Sequence, residues 1–599
     1  MAAPFDDSRR LTGANLHFDA PGVVLETAPR VAFDAAAEAR WRACVARARA
    51  ALGWPEAACI VRRHGHGASL AFPAPVAGLF TATEINEWAL YQALGRHAGP
   101  VSIDCEGQPP RPHPAHFDDV EALRRLRDAA VAEQQQSLAL CALLEAAQAR
   151  GVPARWDDAA LSLGEGAFGK CWPLAALPTP EQVPWAGLRG VPKALVTGSN
   201  GKTTTVRLLA ALLAEGGRAV GYSCTDGVFV GGERLEAGDY SGPAGARTVL
   251  RAPQVQAAVL ETARGGLLRR GLAVDGAQAA IVTNVSEDHF GEYGIDSLTD
   301  LAEVKLTVAK ALAEDGLLVL NATDPTLVAQ AAQVRGIRIG WFAQELAAAQ
   351  VRGLPACGGR AGRLILRTLE GEHDLGAIAA MPLTVAGAAR YNIENVAAAA
   401  LAAQAMGVKD TDSARVLAHF GADNADNPGR LQRWQFGDVD VLLDYAHNPE
   451  GLHGLLELAG TLRSGRVGIL LGHAGNRREA DYIAVANTVA AAHPDRVWLK
   501  DIGGNYLRGR ASGEIAHILR DVLHAQGIPL DALPVCLDEA QAAREALAWA
   551  RPGDLLLLPV HEPSKREVVV ALLDRLQAEG WRPGKVLPTA PANPMPQGG

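Results

Sequence analysis

The fold of this chain is decided by the stretch KALVTGSNGKTTTVRLLAALLAE at residues 193–215. Its first five residues form a short apolar run that predicts a buried strand, and 202–215 predicts a helix that ends at Gly216 and Gly217. Between them, glycines let backbone N–H groups turn towards phosphate oxygens, and the helix N-terminus adds partial positive charge. A strand, a glycine loop and a helix in this order predict a phosphate-binding loop, or P-loop.

The side chains of this loop fit a nucleotide and a metal ion. Lys202 supplies a full positive charge to the β- and γ-phosphates, and Thr203 can ligate Mg²⁺. The alternative is a glycine-rich turn that merely starts a helix, but a turn has no need of the lysine and threonine. We therefore predict a nucleotide-binding set that consists of Gly198, Asn200, Gly201, Lys202, Thr203 and Thr204.

Polar residues follow the next two predicted strands. Glu261 closes VQAAVLE, and Asn284, Asp288 and His289 follow AAIVTN. Open α/β sheets bind ligands at the carboxyl ends of their strands, where a carboxylate and an imidazole can hold a second Mg²⁺ beside the γ-phosphate. The alternatives are a helix cap or surface acid for Glu261 and a hydrogen-bonded loop histidine for His289.

The pattern outward from residue 193 predicts an α/β protein with three structured parts. Buried-strand candidates such as 278–284 and 316–321 alternate with helix patterns, which indicates a parallel sheet in a central P-loop domain. After NPGR the alternation resumes as a smaller, Rossmann-like C-terminal α/β domain. We predict the following boundaries: an α+β N-terminal region at 1–185, the central domain at 186–428, the C-terminal domain at 429–585 and a disordered tail at 586–599.

Composition excludes several classes of function. The 599 residues are 48% hydrophobic and 21% charged, with a formal net charge of −9, which predicts a globular protein without a basic field for nucleic acid. The 8 cysteines form no CxxC pair, and the N-terminus has no secretory apolar run. No apolar run is long enough to span a bilayer. We predict a cytoplasmic protein that binds neither nucleic acid nor membrane.

The order of the motifs resembles the Mur ligase superfamily, which includes the C-terminal half of the cyanophycin synthetases. The resemblance covers about residues 190–580 and is closest to that half, without a full ATP-grasp domain before it. The motifs that carry it are GSNGKTTT, LETARGG, TNVSEDH, NIENVAAA, NPGR and DYAHNPEGL.

The resemblance implies roles for residues that the pattern alone leaves open. It implies ATP and Mg²⁺ as cofactors, with Thr203, Glu261 and His289 as metal ligands. It places Lys305 where many of these ligases carry a carbamylated lysine. The catalytic set that the resemblance implies consists of Lys202, Lys305, His289 and Arg430. A solvated helix lysine is the alternative for Lys305.

The same resemblance implies nucleotide contacts beyond the P-loop. Asn392 and Asn395 correspond to asparagines on the adenine side, Arg430 would reach the phosphates, and Asp444 would hold the ribose. His447 would lie near the nucleotide or have a structural role.

The reaction implied is ATP-dependent amide-bond formation, in which a carboxylate is activated as an acyl phosphate and joined to an amino acid amine. The partners would be a small-molecule or peptide acid and an amino acid, with arginine and an aspartyl-type acceptor as the first pair to consider. The sequence leaves a homo-oligomer open. Asn476 stands where the family often has an aspartate, which bears on recognition of the amino acid. The alternatives are a P-loop ATPase or kinase acting on a small acid, and a non-catalytic scaffold.

Overall fold

A computed structural model describes residues 3–96, 102–103, 111–287 and 290–588. The chain divides into two compact units: residues up to Ala377 together with Ile393–Ala418 form the first, and Ile378–Asn392 together with the chain from His419 form the second. No helix within these described ranges is both long and apolar enough to cross a membrane. The domain boundaries predicted at 185 and 428 stay predictions, and most of the predicted tail lies outside the described residues.

The first unit begins with an antiparallel sheet backed by helices. Its strands follow in the spatial order Phe5–Leu11, Gly22–Thr27, Gly67–Pro73 and Ile60–His64. The helices are Ala35–Ala51, Leu79–Ala93, Asp119–Gln136 and Leu138–Gln148. Trp41, Trp88 and Phe72 are fully buried between sheet and helices. Aromatic side chains of this size supply much of the apolar area of such a core.

The sequence has a long helical pattern at 118–150, which predicts helix there, and the structure forms two helices in this stretch. Ser137 separates them, with φ −99° and ψ 2°, and serves as the C-cap of one and the N-cap of the next. The Ser137 backbone N–H still donates to the carbonyls of Glu133 and Gln134, and its side chain makes no capping hydrogen bond. A small antiparallel sheet follows, formed by Ala154–Trp156, Ala160–Leu163 and Lys170–Pro173, and Ser102–Ile103 pairs with Arg111–Pro112.

The large sheet of the first unit contains eleven strands among the described residues. Its spatial order is Glu233–Ala237, Gly227–Val230, Val220–Cys224, Ala257–Glu261, Lys193–Thr197, Ala277–Val282, Leu312–Asn321, Arg338–Glu345, Ala356–Arg360, Arg363–Arg367 and Glu372–Ala377. The seven strands from Val220–Cys224 to Ala356–Arg360 are mutually parallel, and antiparallel strands extend both edges. Lys193–Thr197 is therefore central, and its carboxyl end opens onto the P-loop.

Helices cover this sheet at the places that the sequence pattern predicts. They are Lys202–Glu215, Pro243–Arg251, Arg264–Arg270, Leu298–Leu306, Pro325–Ala331, Leu346–Gln350, Arg390–Ala405 and Asp410–Leu417, with Arg390–Ala405 crossing the unit boundary. The strand at 193–197 and the helix at 202–215 have the predicted bounds.

The second unit is a smaller α/β structure. Its strand order is Gln432–Phe436, Val439–Asp444, Leu555–Pro559, Val467–Leu471 and Arg496–Leu499, of which only the first pairs antiparallel. The helices Pro449–Leu462, Glu479–Ala491, Glu514–Ala525, Glu539–Trp549 and Pro563–Ala578 surround it. The predicted fold class is confirmed: a P-loop parallel sheet, a smaller Rossmann-like α/β part and an α+β N-terminal region.

Candidate functional site

Two glycines give the P-loop its shape. Gly198 has φ +148° and Gly201 has φ +81°, which are backbone conformations that other residues rarely adopt. A Cβ atom at Gly198 would lie 1.8 Å from Oγ1 of Thr283, and one at Gly201 would lie 2.3 Å from Oδ1 of Asn395. Both positions therefore require glycine, because another residue would strain the backbone and its side chain would have no space. Glycine is typical of loops that bring their backbone close to a ligand.

The segment after the neighbouring strand holds the loop in place. Asn200 N donates to Oδ1 of Asn284 at 2.8 Å, and Thr283 Oγ1 donates to the Asn200 carbonyl at 2.5 Å. Ser199 Oγ donates to the Ser286 carbonyl and accepts from the Ser286 N–H, both at 3.0 Å. Asn284, one of the predicted polar residues, and Ser286, which was not predicted, thus fix the backbone of the P-loop.

Lys202 lies at the mouth of this loop. Its Nζ donates to the carbonyl oxygens of Gly198 at 3.0 Å and Ser199 at 2.9 Å. The ammonium group therefore lies above the N-terminus of the helix Lys202–Glu215, where the helix dipole also favours an anion. A phosphate at this point would meet both a full charge and oriented N–H groups.

Thr203 and Glu261 are brought together beside Lys202. Thr203 Oγ1 donates to Oε2 of Glu261 at 2.8 Å, and Thr225 Oγ1 donates to Oε1 at 3.0 Å. The carboxylate is 1% exposed and forms no ion pair among the described residues. A buried carboxylate held by hydroxyls alone is costly and is well placed to accept a cation.

This donor set fits Mg²⁺. The ion prefers hard oxygen ligands and is commonly bound by one or two carboxylates together with substrate phosphates and water. The described residues hold no group of three or more His, Cys, Asp or Glu side chains able to bind a metal by themselves. Thr203 and Glu261 would therefore hold the ion only with help from the phosphates of a nucleotide. Asp288 and His289 lie outside the described residues.

Lys305 and Asn395 lie on two further helices of the first unit. Lys305 is 3% exposed in the last turn of Leu298–Leu306, so the solvated helix position considered from sequence does not describe its surroundings. Asn395 is 5% exposed, lies against Gly201 and accepts from Thr205 Oγ1 at 3.4 Å. Carbamylation of Lys305 and an adenine contact by Asn395 stay predictions.

In the second unit, Asp444 ends its strand at the carboxyl edge of the sheet. Its carboxylate accepts from the N–H of Leu431 and of Ala446, both at 2.8 Å. Burial raises the pKa of Asp444 above its ordinary value, while the charge of Arg430 opposes the rise. The Arg430 guanidinium lies 4.2 Å from the centre of the Tyr445 ring and donates to the Gly429 carbonyl. Both predicted residues lie at this edge, and their nucleotide roles stay predictions.

Two other predicted residues of the second unit have local structural contacts. Asn392 is buried and donates to the Leu383 carbonyl at 2.9 Å. His447 Nδ1 lies 3.2 Å from the Tyr445 carbonyl, and the two rings pack edge to face at 5.5 Å. These contacts orient the side chains and leave their predicted nucleotide roles untested.

Sequence reasoning missed a buried cluster at the same edge. Lys500 Nζ pairs with Glu539 and lies 3.2 Å from Nδ1 of His561, whose Nε2 donates to the Ala446 carbonyl at 3.1 Å. Burial first, and then the Lys500 charge, lower the pKa of His561. Burial alone would raise the pKa of Glu539, but the charge of Lys500 and the hydrogen bonds from His561 and Lys500 together lower that pKa.

A further histidine, His473, lies just beyond another strand of this sheet. Burial first, and then the charge of Arg477, lower its pKa to about 3. The signal that could have found this edge is positional: Lys500, His473 and His561 each follow an apolar strand within two residues.

Comparison with known families matches two models along the chain. The Mur ligase middle domain matches residues 196–403, and the Mur ligase, glutamate ligase domain matches residues 429–559. The first match contains the P-loop, Glu261 and Lys305, and the second contains Arg430 and Asp444.

Curated relatives include cyanophycin synthetase from Crocosphaera subtropica, which is 37% identical over 373 residues. That alignment covers 61% of this chain and 42% of the relative, so this chain spans less than half the length of the cyanophycin synthetases it matches. UDP-N-acetylmuramyl-tripeptide synthetase from Roseiflexus is 30% identical, with 61% of this chain and 72% of the relative covered. A solved structure, E. coli FolC in complex with DHPP and ADP, is 20% identical in sequence, with a TM-score of 0.47. The match covers 64% of this chain and 89% of the FolC chain.

Proposed function

The chain belongs to the Mur ligase family, and from that premise we propose that it is an ATP-dependent, ADP-forming ligase that joins a carboxylate to the amine of an amino acid. The observation that carries the proposal is the pair formed by Thr203 and the buried Glu261, 2.8 Å apart at the mouth of the P-loop. A binding protein has no use for an uncompensated buried carboxylate beside a phosphate site, whereas a phosphoryl-transfer enzyme needs it for Mg²⁺.

In the proposed reaction, the acceptor carboxylate attacks the γ-phosphorus of ATP and the bond to the β,γ-bridging oxygen breaks, which releases ADP. The amine of the amino acid then attacks the carbonyl carbon of the acyl phosphate, loses a proton and expels inorganic phosphate. Lys202 and the N–H groups of the P-loop orient the triphosphate and neutralise its charge, since positioning and charge stabilisation supply most of the catalysis of phosphoryl transfer.

Mg²⁺, held by Thr203, Glu261 and phosphate oxygens, would neutralise charge that develops on the phosphates. We propose His289 as a further ligand, by family resemblance. Lys305, if carbamylated, would present an anion from the buried end of its helix. Carbamate formation would join CO₂ to the neutral amine of Lys305 and release a proton.

Arginine and an aspartyl-type acceptor are the first substrates to test. This finer proposal is supported by the similarity to cyanophycin synthetases, which covers 61% of this chain. Asn476 follows Gly475 where the family often carries an aspartate, so the amino acid contact at that point is expected to differ from that of relatives with the acid. Arg430 and Asp444 are proposed to bind phosphate and ribose.

The test is release of ADP by purified protein with ATP and Mg²⁺, against a matrix of amino acids and acidic acceptors that includes aspartyl peptides. A ligase requires one acid and one amine together, and Lys202→Ala should abolish the signal. ADP release with an acid alone would instead identify a kinase. No release with any pair, together with no ATP binding, would favour the scaffold.

A further inference from the structure

A hairpin of the N-terminal region contacts the segment that leads to Lys305. Arg62, in the strand Ile60–His64, donates from Nη1 to the Gly294 carbonyl at 2.9 Å and pairs through Nη2 with Asp300. The same Nη2 lies 3.6 Å from a carboxylate oxygen of Glu303. One guanidinium thus binds both the loop before the helix Leu298–Leu306 and the first turns of that helix.

The turn of the hairpin makes a second contact with the same loop. Gly65 N donates to Oδ2 of Asp296 at 2.9 Å. Gly294 has φ +68°, and a Cβ atom there would lie 2.3 Å from Cδ2 of His64. The loop and the hairpin are therefore in close contact, with no space for an added methyl group.

Along the chain, this segment lies between residues that hold the P-loop and Lys305, which is proposed for the same site. Upstream, it continues from Asn284 and Ser286, which hold the P-loop. Downstream, Asp300 lies in the first turn of the helix whose last turn carries the buried Lys305. At a rise of 1.5 Å per residue the two positions are about 7.5 Å apart along the helix axis. A displacement of the first turn moves Lys305 with it, because a helix of this length is stiff.

We propose that the hairpin turn at residues 62–65 is a positioning element of the ligase site, with Arg62 as a positioning residue for the Lys305 helix. The proposal rests on the proposed function. Arg62 suits this role because its planar fork donates in two fixed directions, to a carbonyl and to a carboxylate, which a lysine cannot reproduce. Its side chain is 17% exposed and that of Asp300 is 27% exposed, so solvent screens the pair only in part.

The test compares Arg62→Met with a matched control, Arg63→Met, in the full chain. Arg63 neighbours Arg62 in the same strand, but it contacts the Phe33 carbonyl and Glu38 within the N-terminal region. The first readout is hydrogen–deuterium exchange of peptides covering residues 290–306. We expect exchange there to become about tenfold to a hundredfold faster in Arg62→Met, as for loss of charge-assisted hydrogen bonds, and to stay unchanged in Arg63→Met.

The second readout is ADP release. We expect Arg62→Met to lower kcat about tenfold and to leave the KM for ATP within about twofold, because Lys305 is displaced while the P-loop stays formed. Arg62→Lys, which keeps the charge but cannot donate in both directions, should recover only part of kcat. Equal exchange in the two methionine variants, or faster exchange with unchanged kcat, would overturn the proposal. If the wild type releases no ADP while exchange responds as expected, the ligase proposal fails and the contact between hairpin and helix stands.

Discussion

Replacing Glu261 by glutamine should stabilise the ligand-free protein and weaken its binding of the magnesium nucleotide. The substitution keeps the shape of the side chain and removes its charge. Glu261 is 1% exposed and accepts hydrogen bonds from Thr203 and Thr225, whose hydroxyl groups can reorient to meet an amide.

The magnitude follows from two opposing contributions. Burying an ionised carboxylate without an opposite charge costs several kcal/mol, about 4 here. Hydrogen bonds to a charged group are stronger than neutral ones by about 1 kcal/mol each, so the two hydroxyl donors return about 2 kcal/mol. The net gain of the glutamine variant is about 2 kcal/mol, which corresponds to a rise in Tm of about 4 °C for a large domain. Loss of a charged metal contact should weaken MgADP binding by at least about tenfold.

The assay pairs thermal unfolding without ligand with calorimetric titration of MgADP. A matched control is Glu165→Gln, since Glu165 is also fully buried but pairs with Lys193 at 2.8 Å and with Arg155 at 2.7 Å. Removing its charge leaves two buried cations, which should destabilise the protein by about 3–5 kcal/mol.

The essential outcome is that Tm rises in Glu261→Gln and falls in Glu165→Gln. The reasoning is refuted if Glu261→Gln lowers Tm as Glu165→Gln does, because Glu261 would then be compensated within the protein. It is equally refuted if Glu261→Gln leaves MgADP affinity unchanged, because the carboxylate would then have no part in binding the metal.

Three further outcomes are expected. Lys202→Ala should abolish ADP release while Tm shifts by about 1 °C or less, because its partners are carbonyls of its own loop; a calorimetric scan that shows a large loss of stability would contradict this. Gly198→Ala should remove ATP binding in a titration and destabilise the fold by more than about 2 kcal/mol in urea unfolding, because its Cβ would meet Thr283. The control is Gly336→Ala, which has φ +72° and open space around it; it should cost about 1 kcal/mol and leave ATP binding intact. Burial alone would raise the pKa of Glu26, but its hydrogen bonds and the Arg9 charge lower it to about 2 from 4.5. About 3 kcal/mol of stability that is present above pH 4.5 should therefore be lost as the pH falls towards 2. Between pH 6 and pH 3, urea unfolding should show a smaller loss of stability in Glu26→Gln than in the wild type, and equal losses would contradict the assignment.

Local signals in the sequence determined the centre of the first unit. The strand at 193–197 and the helix at 202–215 have the predicted bounds because an apolar run, two glycines at positive φ and a terminal glycine each act over a few residues. The position of Glu261 beside Thr203 was also predictable, since parallel strands end at the same edge of a sheet. At 118–150 the same reasoning missed the break at Ser137, because the residues before it at 133–136, Glu-Gln-Gln-Gln, are good helix formers and give no stop signal.

Contacts between distant parts of the chain were decided by tertiary structure alone. Arg62 and Asp300 are 238 residues apart, and Lys500 and His561 are 61 apart, yet each pair meets. The sequence spacing of neither pair matches the period of a helix or a strand. Each contact forms because the order of the strands and the packing of whole elements bring the two residues together. By itself the sequence determined the loop that we propose to bind phosphate, because its residues are nearly consecutive in the chain. Tertiary structure decided what supports that site, because proximity across hundreds of residues exists only after the sheets have formed.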